Sequence, residues 1–154
     1  LLSGLVKDLD EGQRAIEQKI ASGEGLERFR RMIEAQGGDP RVCDDFKLLP
    51  HARQHADMKA EEEGVVMWID TFAAGMSVVV LGGGRQQQTD KVDHAVGVEF
   101  LVKPGQTVER GTPLVTFHYN DDSRYFEAHK RMREAILVGE GPAKTMPLIL
   151  EEVQ

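Results

Sequence analysis

Cysteine is nearly absent from this chain, since Cys43 is the only one in 154 residues. A single thiol cannot form an intramolecular disulfide, and it cannot close a zinc site built from several cysteines. We therefore expect Cys43 to be a free or partly buried thiol. The reducing cytoplasm is the expected compartment.

Long hydrophobic runs are also missing. The longest, over residues 64–69 and 78–81, are far shorter than the roughly 20 residues that a helix needs to cross a bilayer. No charged stretch followed by an apolar one marks a signal peptide at the start. We expect no membrane association. The chain begins Leu1-Leu2-Ser3 without an initiator methionine, and we expect it to be a piece of a longer protein.

Basic residues are in the minority, with 19 Lys and Arg against 26 Asp and Glu, for a formal net charge of −7. A mildly acidic chain binds a phosphate backbone poorly, so nucleic acid is not expected as a partner. A small phosphorylated or nucleoside ligand remains compatible with this charge. The 16 glycines and 6 prolines are close to average usage, which excludes collagen-like and low-complexity sequence.

The first 38 residues predict two helices. Apolar residues recur at helical spacing up to a Ser-Gly break, and Leu26, Phe29 and Ile33 then share one side of a second helix. Gly37-Gly38 ends that helix, and the Asp-Pro pair that follows prevents it from resuming. Two short amphipathic helices cannot bury their apolar faces alone, so we expect them to need a partner surface.

Residues 41–50 are irregular and form the best candidate boundary, after which the pattern becomes rich in strands. Residues 71–81 favour either a buried helix capped by Asp70 or Thr71, or a strand over residues 78–81. Asn120 to Ser123 can cap a final helix over residues 124–137. This order of elements predicts an α+β fold. Strands are predicted over residues 64–69, 96–102, 106–108, 113–117 and 148–150.

The most conspicuous local feature is Gly82-Gly83-Gly84-Arg85. Consecutive glycines let backbone N–H groups converge on an anion, and Arg85 could complete a phosphate or carboxylate clamp. The motif fits neither the P-loop nor the dinucleotide-binding fingerprint. The alternative interpretation is a helix stop followed by a flexible loop.

Two further clusters contain titratable groups. Asp93 and His94, in the run Asp90-Lys91-Val92-Asp93-His94, could be half of a general-base pair, but no nucleophile is placed near them by the sequence. Loop charges joined by a local salt bridge are the alternative. His51 and His55 have the spacing of metal ligands on a helix, yet no third ligand is evident. We expect solvated histidines near a helix start and predict no metal site.

A third pattern is typical of biotinyl and lipoyl carrier modules. Glycines turn the chain between residues 102 and 114 while Val108 and Leu114 point inward, as in the small flattened barrels of those modules. Met58-Lys59 is similar to their Met-Lys-Met attachment site. The second Met is replaced by Ala60, and no hairpin strand precedes the lysine. The same fold used as a structural module is therefore favoured over a working carrier.

Three segments together resemble the pyrimidine-nucleoside phosphorylases, which include thymidine phosphorylase. They are residues 22–39, with the pattern S-G-x-x-L-x-x-F-x-x-M-I-x-A-Q-G-G-D, residues 75–97, and residues 105–114, with the pattern G-x-x-V-x-x-G-x-P-L. The middle segment joins L-G-G-G-R to D-K-V-D-H-A-V-G and is the most specific. The resemblance covers nearly the whole chain but only the C-terminal part of the family.

The resemblance implies an enzyme that splits a pyrimidine nucleoside with inorganic phosphate, giving the free base and a pentose 1-phosphate. It implies a cytoplasmic homodimer without a cofactor, in which a helical domain that binds the base closes on an α/β domain that binds phosphate. Residues 1–49 would be a helical segment from the end of the central domain. Residues 50–154 would be the C-terminal domain, an α/β-hammerhead with a barrel-sandwich-like module.

The resemblance assigns no catalytic residue to this chain, because the family's phosphate loop and base-binding residues lie upstream. We therefore expect the isolated chain to be inactive. The family counterpart of residues 82–93 lies near the interdomain cleft and helps to cover it on closure, with Arg85 placed to reach across. An alternative is the C-terminal domain of a related phosphorylase that acts on AMP or other nucleoside monophosphates. The cleft-closing residues implied here are Gly82, Gly83, Gly84, Arg85, Asp90, Lys91 and Asp93.

Overall fold

The computed structural model describes residues 3–85 and 87–144, and the chain divides into two compact units between Leu49 and Pro50. The first unit contains the two expected helices, α1 (Leu9–Ala21) and α2 (Glu24–Ala35). The Asp8 carboxylate caps α1 by accepting a hydrogen bond from the backbone N–H of Glu11 at 2.7 Å. Two short 3₁₀ turns follow, Pro40–Cys43 and Phe46–Leu48.

Polar contacts hold the first unit together. The Arg30 guanidinium donates two hydrogen bonds to the Asp44 carboxylate, at 2.7 and 2.9 Å, and so ties α2 to the turns that follow it. No residue of α1 or α2 is buried, and Leu9 and Ile20 are 61% and 71% exposed. The apolar faces of both helices therefore stay accessible, as expected for helices that need a partner surface.

The second unit contains two three-stranded antiparallel sheets and two helices, which confirms the α+β fold class. One sheet has the order β1-β5-β3 and the other β4-β2-β6, and the two do not close into a barrel within the described residues. The strands are β1 (Gln54–Lys59), β2 (Gly64–Ile69), β3 (Gly97–Phe100), β4 (Thr107–Val108), β5 (Pro113–Tyr119) and β6 (Ile136–Gly139). The helices are α3 (Thr71–Val78) and α4 (Asp122–Ala135).

Helix α3 settles the ambiguity over residues 71–81 in favour of a helix. One oxygen of the Asp70 carboxylate accepts hydrogen bonds from the backbone N–H groups of Phe72 and Ala73, both at 3.0 Å, which makes Asp70 an N-cap. The backbone N–H of Asp70 donates to the carbonyl of Ala135 at 2.8 Å. The start of α3 is thereby joined to the end of α4. After Val78 the helix widens into a single π turn, Val79–Gly83.

The core of the second unit lies between the sheets and the two helices. Phe117 of β5 is fully buried, and its ring meets the Tyr125 ring edge-on with a centroid separation of 5.5 Å. Helix α4 contributes Ala128, Met132 and Ala135, spaced to share one face of the helix. No helix of the described residues is long and apolar enough to cross a membrane.

Strand β1 was not predicted from the sequence. The strand is mostly polar and pairs with β5, so that His55 lies opposite His118. The expectation that His51 and His55 lie near a helix start is therefore wrong. Pairing with a strand some 60 residues away stabilises this segment, and local periodicity cannot reveal such a contact.

Strand β6 was also missed, because its residues were assigned to the end of the final helix. Helix α4 ends at Ala135, and Ile136 then lies opposite Ile69 in the second sheet. Strand β3 is shorter than expected at both ends. The strand predicted over residues 148–150 lies outside the described residues.

Two phenylalanines of the second unit provide a matched test of this core. Phe117→Ala should lower the free energy of unfolding by about 3–5 kcal/mol, because it removes a fully buried ring. Phe126→Ala should change it by about 0.5 kcal/mol or less, because that side chain is 70% exposed. Urea unfolding followed by circular dichroism measures both. Equal effects of the two changes would contradict this assignment of the core.

Candidate functional site

The three glycines after α3 form a tight exit from the helix. Gly82 has a φ of +105°, a conformation that residues with a side chain rarely adopt. A Cβ atom at Gly82 would lie 2.6 Å from Nη1 of Arg124, so the guanidinium lies almost directly on the backbone. The Gly82 carbonyl accepts a hydrogen bond from the backbone N–H of Asp93 at 2.9 Å. Gly82 thus ends the helix and, through its carbonyl, also binds the far end of the loop at Asp93.

Gly83 and Gly84 lie against the last turns of the same helix. A Cβ on Gly83 would lie 2.8 Å from Cγ1 of Val78, and one on Gly84 would lie 2.7 Å from Cγ2 of Val79. Neither position has room for a methyl group unless the valine shifts. The geometry of the glycine run is therefore that of a helix stop.

Arg85 follows this exit directly. Its side chain is exposed and forms no hydrogen bond or ion pair with any residue in the described ranges. The structure therefore gives Arg85 no packing role within the unit. A long cation held at the end of a rigid turn is free to meet a group from outside.

Asp93 anchors the other end of the loop. Its Oδ2 accepts a hydrogen bond from Nδ2 of Asn120 at 2.7 Å, and its Oδ1 accepts one from the backbone N–H of Ala95 at 3.0 Å. The Asn120 Oδ1 in turn accepts from the backbone N–H of Arg53 at 2.7 Å. Asn120 therefore joins the loop to the segment that enters β1.

These contacts keep the Asp93 carboxylate charged. The Asn120 amide that donates to it, followed by the Ala95 N–H, holds the pKa of Asp93 below its ordinary value. A carboxylate with a lowered pKa and both oxygens engaged is a poor general base at neutral pH. The structure thus favours an anchoring role for Asp93 over the general-base pair with His94.

A polar pocket of about 420 Å³ opens beside the glycine exit. Three of the sequence-predicted residues, Gly84, Asp90 and Lys91, line it, whereas Arg85 does not. Asp90 turns the loop, because its Oδ2 accepts a hydrogen bond from the backbone N–H of Gln87 at 2.9 Å. The other lining residues are Val79, Val80, Gln87, Arg124 and Glu127.

Charges of both signs surround this pocket. Glu127 is engaged by Arg131 of the same helix at 3.0 Å. Lys91 and Arg124 form no ion pair with a described residue. Among the described residues, the lining supplies charged donors and acceptors but no histidine, cysteine or hydroxyl group. It can hold and orient a polar ligand.

Arg124 and Asn120 also organise the loop, and neither was predicted as a site residue from the sequence. Both belong to or adjoin the capping segment of α4, where the Asp121 carboxylate accepts from the backbone N–H of Arg124 at 3.0 Å. The sequence did predict that Asn120 to Ser123 would cap the final helix. The reach of Asn120 to Asp93, 27 residues away, left no local signal.

The remaining sequence candidates lie apart from this pocket. Lys59 ends edge strand β1, opposite Pro113, and is not at the tip of a hairpin. His129, which the sequence did not single out, contacts the Phe117 and Tyr125 rings, and burial lowers its pKa with a smaller contribution from Arg133. Within residues 3–85 and 87–144, no three metal-binding side chains cluster.

The Asp93 anchor generates a pH-dependent expectation. Asp93→Asn should lower the free energy of unfolding by about 1 kcal/mol at pH 7, because it removes a charged acceptor. A carboxyl group whose pKa is lowered by folding stabilises the protein above its unfolded pKa of about 3.9 and loses this effect as pH falls further. The difference between parent and variant should therefore shrink below about pH 4.

Urea unfolding at pH 7, 5 and 3.5 measures this difference. Asp10→Asn is the matched control, because Asp10 lies exposed in the first turn of α1. A stability difference for Asp93→Asn that stays constant from pH 7 down to pH 3.5 would contradict the anchoring role.

Two comparisons relate this geometry to known proteins. The family model described as the pyrimidine nucleoside phosphorylase C-terminal domain matches residues 65–139. The chain is also 38% identical over 115 residues to the pyrimidine-nucleoside phosphorylase of Bacillus subtilis (strain 168), which is 75% of this chain and 27% of that relative. It therefore spans about a quarter of the length of this curated relative.

The family match runs from β2 to β6 and includes the glycine exit, the Asp93 anchor and the polar pocket. Residues 65–139 are thus a pyrimidine nucleoside phosphorylase C-terminal domain.

Proposed function

We propose that this chain is the C-terminal part of a pyrimidine-nucleoside phosphorylase. Such an enzyme would transfer the pentose of a pyrimidine nucleoside to inorganic phosphate, releasing the base and a pentose 1-phosphate. The observation that carries the proposal is the 38% identity over 115 residues to an enzyme of that name. Residues 1–49 would then be the end of the preceding domain, and residues 50–154 the C-terminal domain.

The second unit would shape and close one wall of the catalytic cleft. Phosphorolysis requires that phosphate and nucleoside be held in the correct relative orientation, that the developing charge be stabilised, and that water be kept out. A wall that performs this task needs a loop with rigid ends and an accessible middle. The loop after α3 supports this role, because Gly82 and Asp93 are hydrogen bonded to each other and Arg85, between them in the sequence, is exposed.

The loop residues would divide the work between position and contact. Gly82, Gly83, Gly84 and Asp93 would hold the loop at its two ends, as their packing and hydrogen bonds support. Arg85 would reach across the closing cleft, which its exposure and lack of a described partner permit. Asp90 and Lys91 would line the polar pocket beside it.

The rest of the proposal concerns the longer enzyme. Its catalytic and base-reading residues would lie outside this chain, it would need no cofactor, and it would be a cytoplasmic homodimer without nucleic-acid or membrane partners. The net negative charge of the chain, −7, supports the absence of a nucleic-acid partner. A thymidine preference is one form of the same activity.

Neither alternative from the sequence gains support. A carrier presents its lysine at the tip of a hairpin, whereas Lys59 lies at the end of an edge strand next to buried Ala60. The curated relative is not a nucleoside-monophosphate phosphorylase by name.

The chain alone should not catalyse the reaction. Purified residues 1–154, incubated with phosphate and thymidine or uridine, should release no base above the uncatalysed rate, because the chain contributes one wall of the cleft. Release is followed by liquid chromatography of thymine and uracil. Turnover by the pure chain would mean that the described residues contain a catalytic centre.

Arg85 distinguishes a cleft-closing loop from a merely structural one. In the proposed full-length enzyme, Arg85→Ala should lower kcat roughly tenfold to hundredfold, because loss of the closing contact leaves the reactants less well positioned. The thermal midpoint should stay unchanged, since the side chain is exposed and has no ion-pair or hydrogen-bond partner among the described residues.

Arg110→Ala is the matched control, because Arg110 is an exposed arginine in a turn of the same unit. It should alter neither kcat nor the thermal midpoint. Unchanged turnover of Arg85→Ala, with a lowered midpoint, would contradict the proposed role of Arg85.

A further inference from the structure

The loop that carries Arg85 is held at its two ends in different ways. At the near end, Gly83 and Gly84 pack closely against valines of the preceding helix. At the far end, the backbone N–H of Asp93 donates to the Gly82 carbonyl at 2.9 Å. The near end is fixed by packing, whereas the far end is fixed by hydrogen bonds of a half-buried residue, a kind of contact that opens locally with ease.

Asn120 holds this far end from outside the loop. Its Nδ2 donates to Oδ2 of Asp93 at 2.7 Å, and a hydrogen bond to a charged acceptor is stronger than one between neutral groups. The other oxygen of the Asp93 carboxylate accepts from the backbone N–H of Ala95 at 3.0 Å. The carboxylate therefore cannot turn away from Asn120 without disturbing a second hydrogen bond.

Asn120 is itself fixed by the segment that enters β1. Its Oδ1 accepts a hydrogen bond from the backbone N–H of Arg53 at 2.7 Å, which leaves the amide nitrogen directed at Asp93. Beside this contact, Nε2 of Gln54 donates to Oδ1 of Asp122 at 3.2 Å. The starts of β1 and α4 are thus joined twice, and Asn120 connects both of them to the loop.

We propose that Asn120 is a positioning residue for Arg85, acting through Asp93 and its hydrogen bond to Gly82. Loss of the Asn120 amide would release the far end of the loop, so that Arg85 would no longer be held in one place. A closing loop that is released in this way spends less time correctly placed. The part of this inference that concerns catalysis rests on the proposed function.

An exchange of the two side chains tests this geometry in the complete chain. Asn120→Asp alone places a second carboxylate against that of Asp93. Trypsin cleavage after Arg85 and Lys91, followed by mass spectrometry, should then become roughly tenfold faster, because loss of one charged hydrogen bond favours local opening. Adding Asp93→Asn puts one amide and one carboxylate in contact again and should restore the parental rate. Gln18→Glu, the same chemical change on an exposed residue of α1, should have no effect.

A measurement on the unaltered chain covers the case in which Asn120→Asp fails to fold. Asn120 is the only asparagine in the sequence, so selective ¹⁵N labelling of asparagine gives a single side-chain amide signal. Its protons should exchange with water more slowly than those of the exposed Gln18 side chain. Exchange as fast as that of Gln18 would overturn the proposal. So would an unchanged cleavage rate in Asn120→Asp, or faster cleavage that the exchanged pair does not reverse.

Turnover of the full-length enzyme separates this inference from the proposed function. Asn120→Asp should lower kcat roughly tenfold with a smaller change in KM, and the exchanged pair should restore kcat. If Arg85→Ala lowers kcat and Asn120→Asp does not, Asn120 has no positioning role. If neither change affects kcat while cleavage responds as expected, the cleft-closing function is overturned, and the hold of Asn120 on the Arg85 loop is supported.

Discussion

The second unit depends on one short set of hydrogen bonds, in which Asp93 joins Gly82 to Asn120. The backbone N–H of Asp93 reaches the Gly82 carbonyl, and its carboxylate receives the Asn120 amide. Helix α3, the loop after it and the start of α4 are thereby fixed to one point. Because the Gly82 turn needs a positive φ, and because Arg124 lies directly on it, a side chain at Gly82 would disturb all three elements.

This arrangement separates the parts of the loop that hold position from the part that remains available. The three glycines are tightly packed and Asp93 is hydrogen bonded, so these residues hold the ends of the loop in place. Arg85, by contrast, has no partner within the described residues. A rigid frame with one accessible cation suits a wall that completes a site built elsewhere. The same division explains why the strongest sequence motif of the chain contains no catalytic group.

Local chemistry made much of the fold predictable. The two segments that were predicted to cap helices do so, through Asp70 and Asp121, and the β-branched run at β2 is a strand. Strands β1 and β6 could not be predicted, because a polar strand and the end of a helical pattern become strands only through distant pairing. The candidate site divides in the same way. The Gly82 to Asp93 segment was evident from its residues, whereas Arg124 and Asn120 enter it only through tertiary contacts.

The position of β1 at the edge of its sheet also bears on solubility. An unpaired strand edge invites another chain to add to the sheet, which is a common route to aggregation. Within the described part of the chain β1 has β5 on one side only, and Gln54, His55, Asp57 and Lys59 are exposed along it. Charged and polar side chains at such an edge oppose strand addition. The polar side chains that made β1 unpredictable from the hydrophobic pattern thus also oppose pairing of this sheet with the sheets of other molecules in solution.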